Sequence, residues 1–237
     1  MYVLLLVIIL TKYTYVMSFN DYNPCDDSVL SAGAFQACFG AGSVDWGNLK
    51  TFSFISNKRT VDPFLATGSP TTAEEYYALF QDKANWDTVM GAVDIDKVVV
   101  TPTSGLTTVT GGEAKEVTLE DDTVVSRGHN SQVFTTKYYS LSAEQEKQLA
   151  SIHGKSLGFL MLTEDNSVII KEVTDAQVTG GSTNPFFDLK GSFSADARLN
   201  TTGSDLDYSM AKFGVDPDET FGRFVVIKLN FSVSELG

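Results

Sequence analysis

The sequence contains few of the residues that metal sites, disulfide frameworks and nucleophilic catalysts require. Its 237 residues include two cysteines, Cys25 and Cys38, and two histidines, His129 and His153. The cysteines are too few for a disulfide framework and lack the spacing of a zinc site, so two thiols or a single disulfide both stay open. HExxH and GxSxG motifs are absent, and we expect His153 to end a helix and His129 to lie in a turn. The sequence therefore predicts that the protein is not an enzyme and has no catalytic, cofactor-binding or metal-binding residues.

Positive charge is also scarce. The chain has 17 Lys and Arg residues against 30 Asp and Glu residues, which gives a formal net charge of −13. Such a surface repels nucleic-acid phosphates and anionic lipid headgroups. We therefore expect neither sequence-specific nucleic acid nor a membrane among its partners.

Since 43% of the residues are hydrophobic, the chain can bury an ordinary core without cofactors or disulfides.

Several short segments resemble functional motifs but fail on spacing. Gly40–Gly42 resembles the start of a dinucleotide-binding loop, yet no third glycine follows at the required position. Asp205–Asp207 and Asp216–Glu219 bring carboxylates together without the remaining positions of an EF-hand loop, so we interpret them as solvated loop charges. Asn200 and Asn230 begin glycosylation sequons, a pattern short enough to occur by chance.

The N-terminus carries one unbroken apolar run, Val3–Leu10. It is too short to span a bilayer, which takes about 20 residues. No Lys or Arg precedes it and no small-residue cleavage site follows, so a weak export signal and a true start at Met17 both remain open. We expect residues 1–16 to form an apolar extension outside the fold and residues 17–237 to form a single β-rich domain.

Short runs of Val, Ile, Phe, Tyr and Thr, separated by Gly, Ser and Asn, predict a series of strands. The clearest is Phe224–Val233, whose alternate positions are all apolar, and we expect it to lie centrally in a sheet. Gly158–Leu162 and Ser167–Val173 flank the polar turn Thr163–Asn166 and predict a hairpin. Further candidate strands are Lys97–Thr101, Glu116–Leu119, Gln132–Tyr139 and Phe187–Phe193.

Two segments have the pattern of helices. Ser142 and Gln145 are spaced as a capping box, with Leu149 and Ile152 on one face and Gly154 as the stop. The second helix is predicted from about Thr72 to Lys83. Together these elements predict a mainly β fold, a β-sandwich or barrel with one or two flanking α-helices.

The order of the segments resembles that of a known class of proteins. The segment NPCDDSVLSAGAFQACFGAG comes first, then the polar middle TPTSGLTTVTGGEAKEVTLEDDTVVSRG, then a strand, capped helix and hairpin within SQVFTTKYYSLSAEQEKQLASIHGKSLGFLMLTEDNSVIIKEV. A variable loop and a long terminal strand follow. Over most of residues 18–237 this layout is similar to that of virion structural proteins of tailed bacteriophages, in particular the tail-tube-like group.

The resemblance implies a β-sandwich or barrel whose loops and termini reach neighbouring subunits in homo-oligomeric rings that stack into a tube. It implies contacts with other virion proteins, and assembly in the host cytoplasm into a virion. We expect the polar loops Thr101–Gly112 and Thr174–Asn184 to form the joints between subunits, since ordering long loops without contacts is costly.

Two alternatives come from other classes. An exported β-rich binding module or adhesin at the cell surface would account for the apolar N-terminus and the strands rich in Ser, Thr and Asn. An enzyme with an unrecognised carboxylate site is the third hypothesis.

Overall fold

The computed structural model of the chain is mainly β, which confirms the predicted fold class. Its described strands form a six-stranded sheet A, a four-stranded sheet B and a separate two-stranded ribbon, and the pairings among them are all antiparallel. The structure describes residues 49–102, 106–111, 114–118, 120, 124–189, 193–195, 208–215 and 224–236.

The described strands and helices are short. The strands are β1 Leu49–Ser56, β2 Val99–Val100, β3 Leu106–Thr110, β4 Ala114–Thr118, β5 Val124–His129, β6 Gln132–Tyr139, β7 Leu157–Thr163, β8 Ser167–Lys171, β9 Phe187–Asp188, β10 Ser194–Ala195, β11 Tyr208–Val215 and β12 Phe224–Lys228. The α-helices are α1 Ala73–Gln81, α2 Lys83–Met90, α3 Ala143–Ile152 and α4 Asp175–Thr179. Short 3-10 turns lie at Leu65–Thr67, Asp94–Asp96 and Val233–Leu236.

Sheet A is built around β7. Its strand order is β12-β8-β7-β1-β2, and β9 also pairs with β7. Every residue of β7 is buried, because its sequence LGFLMLT offers apolar side chains to both faces of the sheet. A strand of this kind requires a second layer on each side.

The first covering layer is sheet B, with strand order β10-β11-β6-β3. Phe52 of β1, Phe134 of β6, Phe159 of β7 and Phe213 of β11 meet between the two sheets, with ring centroids 5.0 to 6.3 Å apart. Most of these pairs are tilted or edge-to-face, the arrangements that the ring quadrupole favours. The two sheets therefore form a β-sandwich with an aromatic core, and α3 closes it with Leu149 and Ile152.

The second covering layer is helical. Helices α1, α2 and α4 pack on the opposite face of sheet A, where they share a core with β7, β8 and β12. Phe64 stacks on Phe80 with ring centroids 4.2 Å apart, and Trp86 meets the edge of Phe64 at 4.9 Å. The indole Nε1 of Trp86 donates to the carbonyl of Phe80 at 2.8 Å, so its one polar atom is satisfied inside the core.

Several local predictions are confirmed. The hairpin joins β7 to β8 with Met161 opposite Ile169, and Asn166 in the turn takes a left-handed φ of 60°. The capping box at the start of α3 is complete, with Ser142 accepting from Gln145 and Gln145 accepting from Ser142.

The predicted helix 72–83 is two helices. Thr72 caps the start of α1. The helix ends before Asp82, whose backbone is extended, with a φ of −97° and a ψ of 121°. The Asp82 carboxylate accepts from the amide of Ala84 at 3.0 Å and so begins α2, which the sequence analysis did not predict.

The terminal strand was predicted from Phe224 to Val233 and at a central position in a sheet, and both the length and the position are wrong. β12 ends at Lys228 and lies at the end of the described strand order of sheet A. Beyond it, the amide of Leu229 donates to Asn166 and that of Asn230 to Gln81, which carries the chain off the ladder into a 3-10 turn. The apolar residues Leu229 and Val233 beyond β12 are buried in the core between sheet A and the helices. Their alternation reflects this burial and does not mean that the strand continues.

Both segments predicted as long joint-forming loops contain regular structure. Thr101–Gly112 includes β3, which pairs along its whole length with β6 and buries Thr107 against the sandwich. Thr174–Asn184 includes α4, whose start has its own capping box between Thr174 and Gln177. Neither segment is therefore a free arm.

Candidate functional site

The ribbon consists of β4 and β5, which lie between β3 and β6 of sheet B along the chain. Thr110 of β3 pairs with Val133 of β6, and four residues further along both strands Ala114 of β4 pairs with His129 of β5. The pairing of β4 with β5 thus starts in the register of β3 with β6, and it shifts by one residue between Ala114 and Glu116. The two strands form a sheet of their own, and five residues of strand correspond to a length of about 17 Å.

The ribbon has no extensive contact with any other described element. β4 and β5 pair with each other and with no further strand of the described chain. Val124, at the start of β5, is 55% exposed. An isolated two-stranded ribbon is only marginally stable in water, so the pairing of β4 with β5 alone contributes little stability.

Gly111 marks the point where the ribbon leaves sheet B. Its φ of +85° lies in the region that favours glycine, and a Cβ at this position would lie 2.2 Å from the carbonyl oxygen of Ser131. The close approach of the two backbones here requires a residue without a side chain.

No described element covers the outward face of sheet B. Inward residues of β6 such as Phe134 and Tyr138 are buried, whereas the residues that alternate with them are half-buried or exposed. The described outward side chains are Thr108, Thr110, Val133, Thr135, Lys137, Tyr139, Ser194, Tyr208, Met210 and Lys212. We call this set the outer face.

The outer face is cationic in a strongly acidic protein. It carries Lys137 and Lys212 and no acidic residue at its described positions, although acidic residues exceed basic ones in the chain as a whole. The Lys137 ammonium lies 5.0 Å from the ring centroid of Tyr208, and the rings of Tyr208 and Tyr139 meet edge-to-face at 6.0 Å. Aromatic and cationic side chains together are typical of contact surfaces between proteins.

A second feature is a polar cleft at the end of β1. It has a volume of about 420 Å³ and is lined by Asn57, Arg59, Thr60, Val61, Asp62, Thr183, Asn184 and Asp188. Asp62 lies at its base, 2% exposed, and accepts from the Phe64 amide at 3.0 Å, the Thr183 hydroxyl at 2.7 Å and the Tyr76 hydroxyl. The carboxylate therefore ties α1 and the segment before β9 to the chain that leaves β1.

Burial sets the protonation behaviour of this cluster. Desolvation raises the pKa of Asp62, and the hydrogen bonds from Tyr76 and Thr183 partly offset that rise. Burial next to Asp62 also raises the pKa of Tyr76 well above its ordinary value. With all three donors supplied from within the chain, Asp62 acts as a structural tie between segments.

Arg59 covers the outer part of the cleft. Its guanidinium lies 4.3 Å from the ring centroid of Phe186 and donates to the side chain of Asn184. Asn57 contributes a buried Oδ1 with no hydrogen-bond partner. The cleft can thus offer an acceptor oxygen and a partly exposed cation to a small polar ligand.

The structure locates some of the residues considered from the sequence. His153 follows α3, as predicted, and its Nδ1 accepts from the amide of Ala195 at 3.0 Å. His129 ends β5, so its predicted position in a turn is wrong. Asn230 is exposed beyond β12. The remaining candidates lie outside the described residues: 1–16, Cys25, Cys38, Gly40–Gly42, Asn200, Asp205–Asp207 and Asp216–Glu219.

The described part of the chain lacks the features of a metal site and of a membrane-spanning helix. It contains no group of three or more His, Cys, Asp or Glu residues arranged to hold a metal ion. None of its helices combines the length and the apolar character needed to cross a bilayer.

Comparison of the chain with protein-family models, with curated proteins and with solved structures finds no match.

Part of the ribbon was predicted, since the candidate strand Glu116–Leu119 overlaps β4, whereas β5 and the outer face were not predicted. A signal for the outer face was present, since the predicted strand Gln132–Tyr139 already puts Lys137 and Tyr139 on the side opposite Phe134. The strand Tyr208–Val215 was not predicted, because its outward positions include Lys212 and Gly214 and its run of strand-forming residues is weak.

Proposed function

We propose that the chain is a non-enzymatic structural subunit that assembles with copies of itself through the ribbon β4–β5. The observation that carries this proposal is that β3 and β6 of sheet B flank the two-stranded ribbon β4–β5 along the chain, and that this ribbon pairs with no further strand of the described chain. A folded monomer gains little from keeping such a ribbon in water, whereas a neighbouring subunit can supply the missing contacts.

The specific form of this proposal is a tail-tube-like subunit of a tailed-phage virion, assembling into rings with other virion proteins nearby. A β-sandwich with flanking helices and a projecting element agrees with what the resemblance implies. The acidic composition supports it as well, because a tube that carries DNA benefits from walls that repel phosphate.

The test is a deletion that removes the ribbon and keeps the sandwich. Removing Glu113–His129 joins Gly112 to Asn130, and a short loop then connects Thr110 to Val133, a length that hairpins accommodate. We expect the wild-type chain to form rings or larger species at raised concentration, measured by light scattering and electron microscopy. The deletion variant should be a folded monomer with an unfolding free energy within about 1 kcal/mol of wild type.

A second variant controls for chain length. It replaces Glu113–His129 by a Gly/Ser segment of the same length, which cannot form a stable ribbon, and it should behave like the deletion. If the wild type stays monomeric at every concentration, or if both variants assemble as it does, the proposal is wrong.

The second candidate function is an exported binding module, and the polar cleft is the observation that favours it. A cleft of about 420 Å³ with the unpartnered Asn57 Oδ1 and the Arg59 cation has the size and polarity for one sugar unit. Binding of an oligosaccharide array to a strictly monomeric wild type, lost in Asn57→Ala, would favour this candidate over assembly.

A further inference from the structure

We propose that Gly158 shapes the polar cleft to hold one neutral, hydroxyl-rich ring, a sugar unit, and that the charges of the cleft reject acidic and basic forms of the same ring. This inference rests on the second candidate function, binding in the cleft, and it does not depend on whether the chain assembles. It is carried by the packing over Gly158 and by the charged side chains at the cleft.

Gly158 is the one residue without a side chain in β7, a strand of otherwise large residues. It pairs with Ile55 of β1 and with Asp188 of β9, so its backbone is that of an ordinary strand residue and does not itself require glycine. Leu160, two residues on and on the same face of sheet A, fills the core under the helices. A glycine inside such a strand marks a place where other atoms approach it closely.

The atoms that approach Gly158 belong to the residues that build the cleft. A Cβ at this position would lie 3.0 Å from Asn57 Oδ1, 3.0 Å from Phe186 Cβ and 3.4 Å from a terminal nitrogen of Arg59. The Arg59 guanidinium also lies over the Phe186 ring, and both Asn57 and Arg59 line the cleft. A methyl group on residue 158 would therefore have to displace the two polar side chains that a ligand meets.

Charge restricts the kind of ligand. The lining contains one cation, Arg59, and two carboxylates, Asp62 and Asp188, and the ammonium of Lys171 lies 3.9 Å from Asp188. An anion in the cleft would meet both carboxylates, and a cation would meet Arg59 and Lys171. Because like charges repel strongly in a partly desolvated site, the cleft favours a neutral ligand.

Hydroxyl groups match the polar atoms that remain. A guanidinium has five N–H donors, and Arg59 uses one for the Asn184 side chain and one for the Ser56 carbonyl at 3.4 Å. It forms no ion pair within the described chain, so its other donors can bond a ligand oxygen. The half-exposed Asp188 offers an acceptor at the same cleft. Since a sugar hydroxyl both donates and accepts, one uncharged ring can serve both groups.

The test is a charge series on one ring, measured by saturation-transfer NMR, which serves monomers and assemblies alike. The neutral probes are methyl glucoside, methyl galactoside and methyl mannoside, and the charged probes are the uronic acid and the 2-amino form of each. We expect the wild type to bind at least one neutral probe about tenfold or more tightly than either of its charged forms. Asp188→Asn, which keeps an acceptor and removes a carboxylate, should bind the uronic acid about fivefold or more tightly than the wild type does.

Two variants test the shape of the cleft. Gly158→Ala should weaken binding of the neutral probe by about tenfold or more, because Asn57 and Arg59 shift, and its Tm should stay within about 4 °C of wild type. Arg59→Gln removes the cation and most of its donors and should weaken binding at least as much. The matched control is Gly68→Ala, whose methyl group meets only the flexible end of Leu79 outside the cleft lining, and it should bind as wild type does.

The outcomes separate this inference from the functions proposed above. If no neutral probe binds at millimolar concentration, the second candidate function and this inference are both wrong, and assembly through the ribbon is unaffected. If a charged form binds best, the cleft is a site but its charge does not select neutral rings. If Arg59→Gln loses binding while Gly158→Ala binds as tightly as wild type, the cleft binds sugar and Gly158 does not shape it.

Discussion

Sheets A and B have the same antiparallel construction but differ in how they are covered. Sheet A lies between sheet B and a layer of helices, and its strand β7 is buried at every residue. In sheet B, β6 alternates between buried and half-buried residues, and its outward side is covered by no described element. Sheet A therefore holds the described fold together, while sheet B has one face that no described residue covers.

The largest expected effects come from alanine substitutions in these two strands. In β7, the side chains of Phe159 and Leu160 point to opposite faces of sheet A, and both are fully buried. Phe159→Ala and Leu160→Ala should each lower the free energy of unfolding by about 3–5 kcal/mol. In β6, Phe134→Ala should cost about as much, whereas Thr135→Ala on the outer face should cost less than about 1 kcal/mol. Urea denaturation monitored by fluorescence measures all four. A large loss at Thr135 would mean that the outer face is covered after all.

The next effect concerns the tie between the helical layer and sheet A. Asp62→Ala leaves the Phe64 amide and the hydroxyls of Tyr76 and Thr183 without their acceptor, and we expect a loss of about 2–4 kcal/mol. Tyr76→Phe removes one of these bonds and should cost about 1–2 kcal/mol. Equal stability of Asp62→Ala and wild type in chemical denaturation would contradict the structural role of this carboxylate.

A smaller effect tests whether the ribbon is independent of the sandwich. Gly111→Ala places a Cβ against the Ser131 carbonyl and forces a side chain into a left-handed backbone, at a cost of about 1–2 kcal/mol. We expect amide hydrogens of β4 and β5 to exchange faster in this variant while those of β7 stay protected, as hydrogen exchange can measure. Loss of protection in β7 would show that the two regions unfold together.

The smallest effect depends on pH. Burial raises the pKa of Asp165, but hydrogen bonds from Thr163 and Ser167 and the charge of Lys228 outweigh it, so its pKa lies below its ordinary value. A lowered pKa in the folded state stabilises the protein above the ordinary value of 3.8, and this stabilisation disappears as the pH falls through the folded pKa.

Asp165→Asn should therefore reduce the stability at pH 7 by less than about 1 kcal/mol, because the carboxylate is largely exposed. The difference between variant and wild type should shrink towards zero in acid, as thermal melts over a pH series can measure. A difference that grows as the pH falls would contradict the sign of the shift.

Predictions from local sequence succeeded where neighbouring residues determine the structure. The capping box at Ser142 and the turn at Asn166 are set by side-chain oxygens and backbone angles within a few residues. Predictions failed where distant contacts decide. Asp82 divides one apolar helical pattern into two helices, and Leu229 leaves the ladder for a contact with Asn166.

The prediction of Thr101–Gly112 as a joint-forming arm was wrong for a related reason. The segment Thr101–Gly112 is polar and rich in β-forming residues, which is equally compatible with a free arm and with the edge of a sheet. Its pairing with β6 decides between them, and local composition carries no information about a pairing partner more than 20 residues away along the chain. The single-domain organisation of residues 17–237 stays a prediction.

By itself, the sequence determined the mainly β class, the acidic surface and the local starts and turns of several elements, because alternation, charge and capping are properties of neighbouring residues. Only the tertiary structure decided that β7 is covered on both faces and β6 on one, since burial depends on which distant segments pack against a strand. It also brought Lys137 of β6 and Lys212 of β11 to the same face of sheet B, because strand register is a property of pairs of segments.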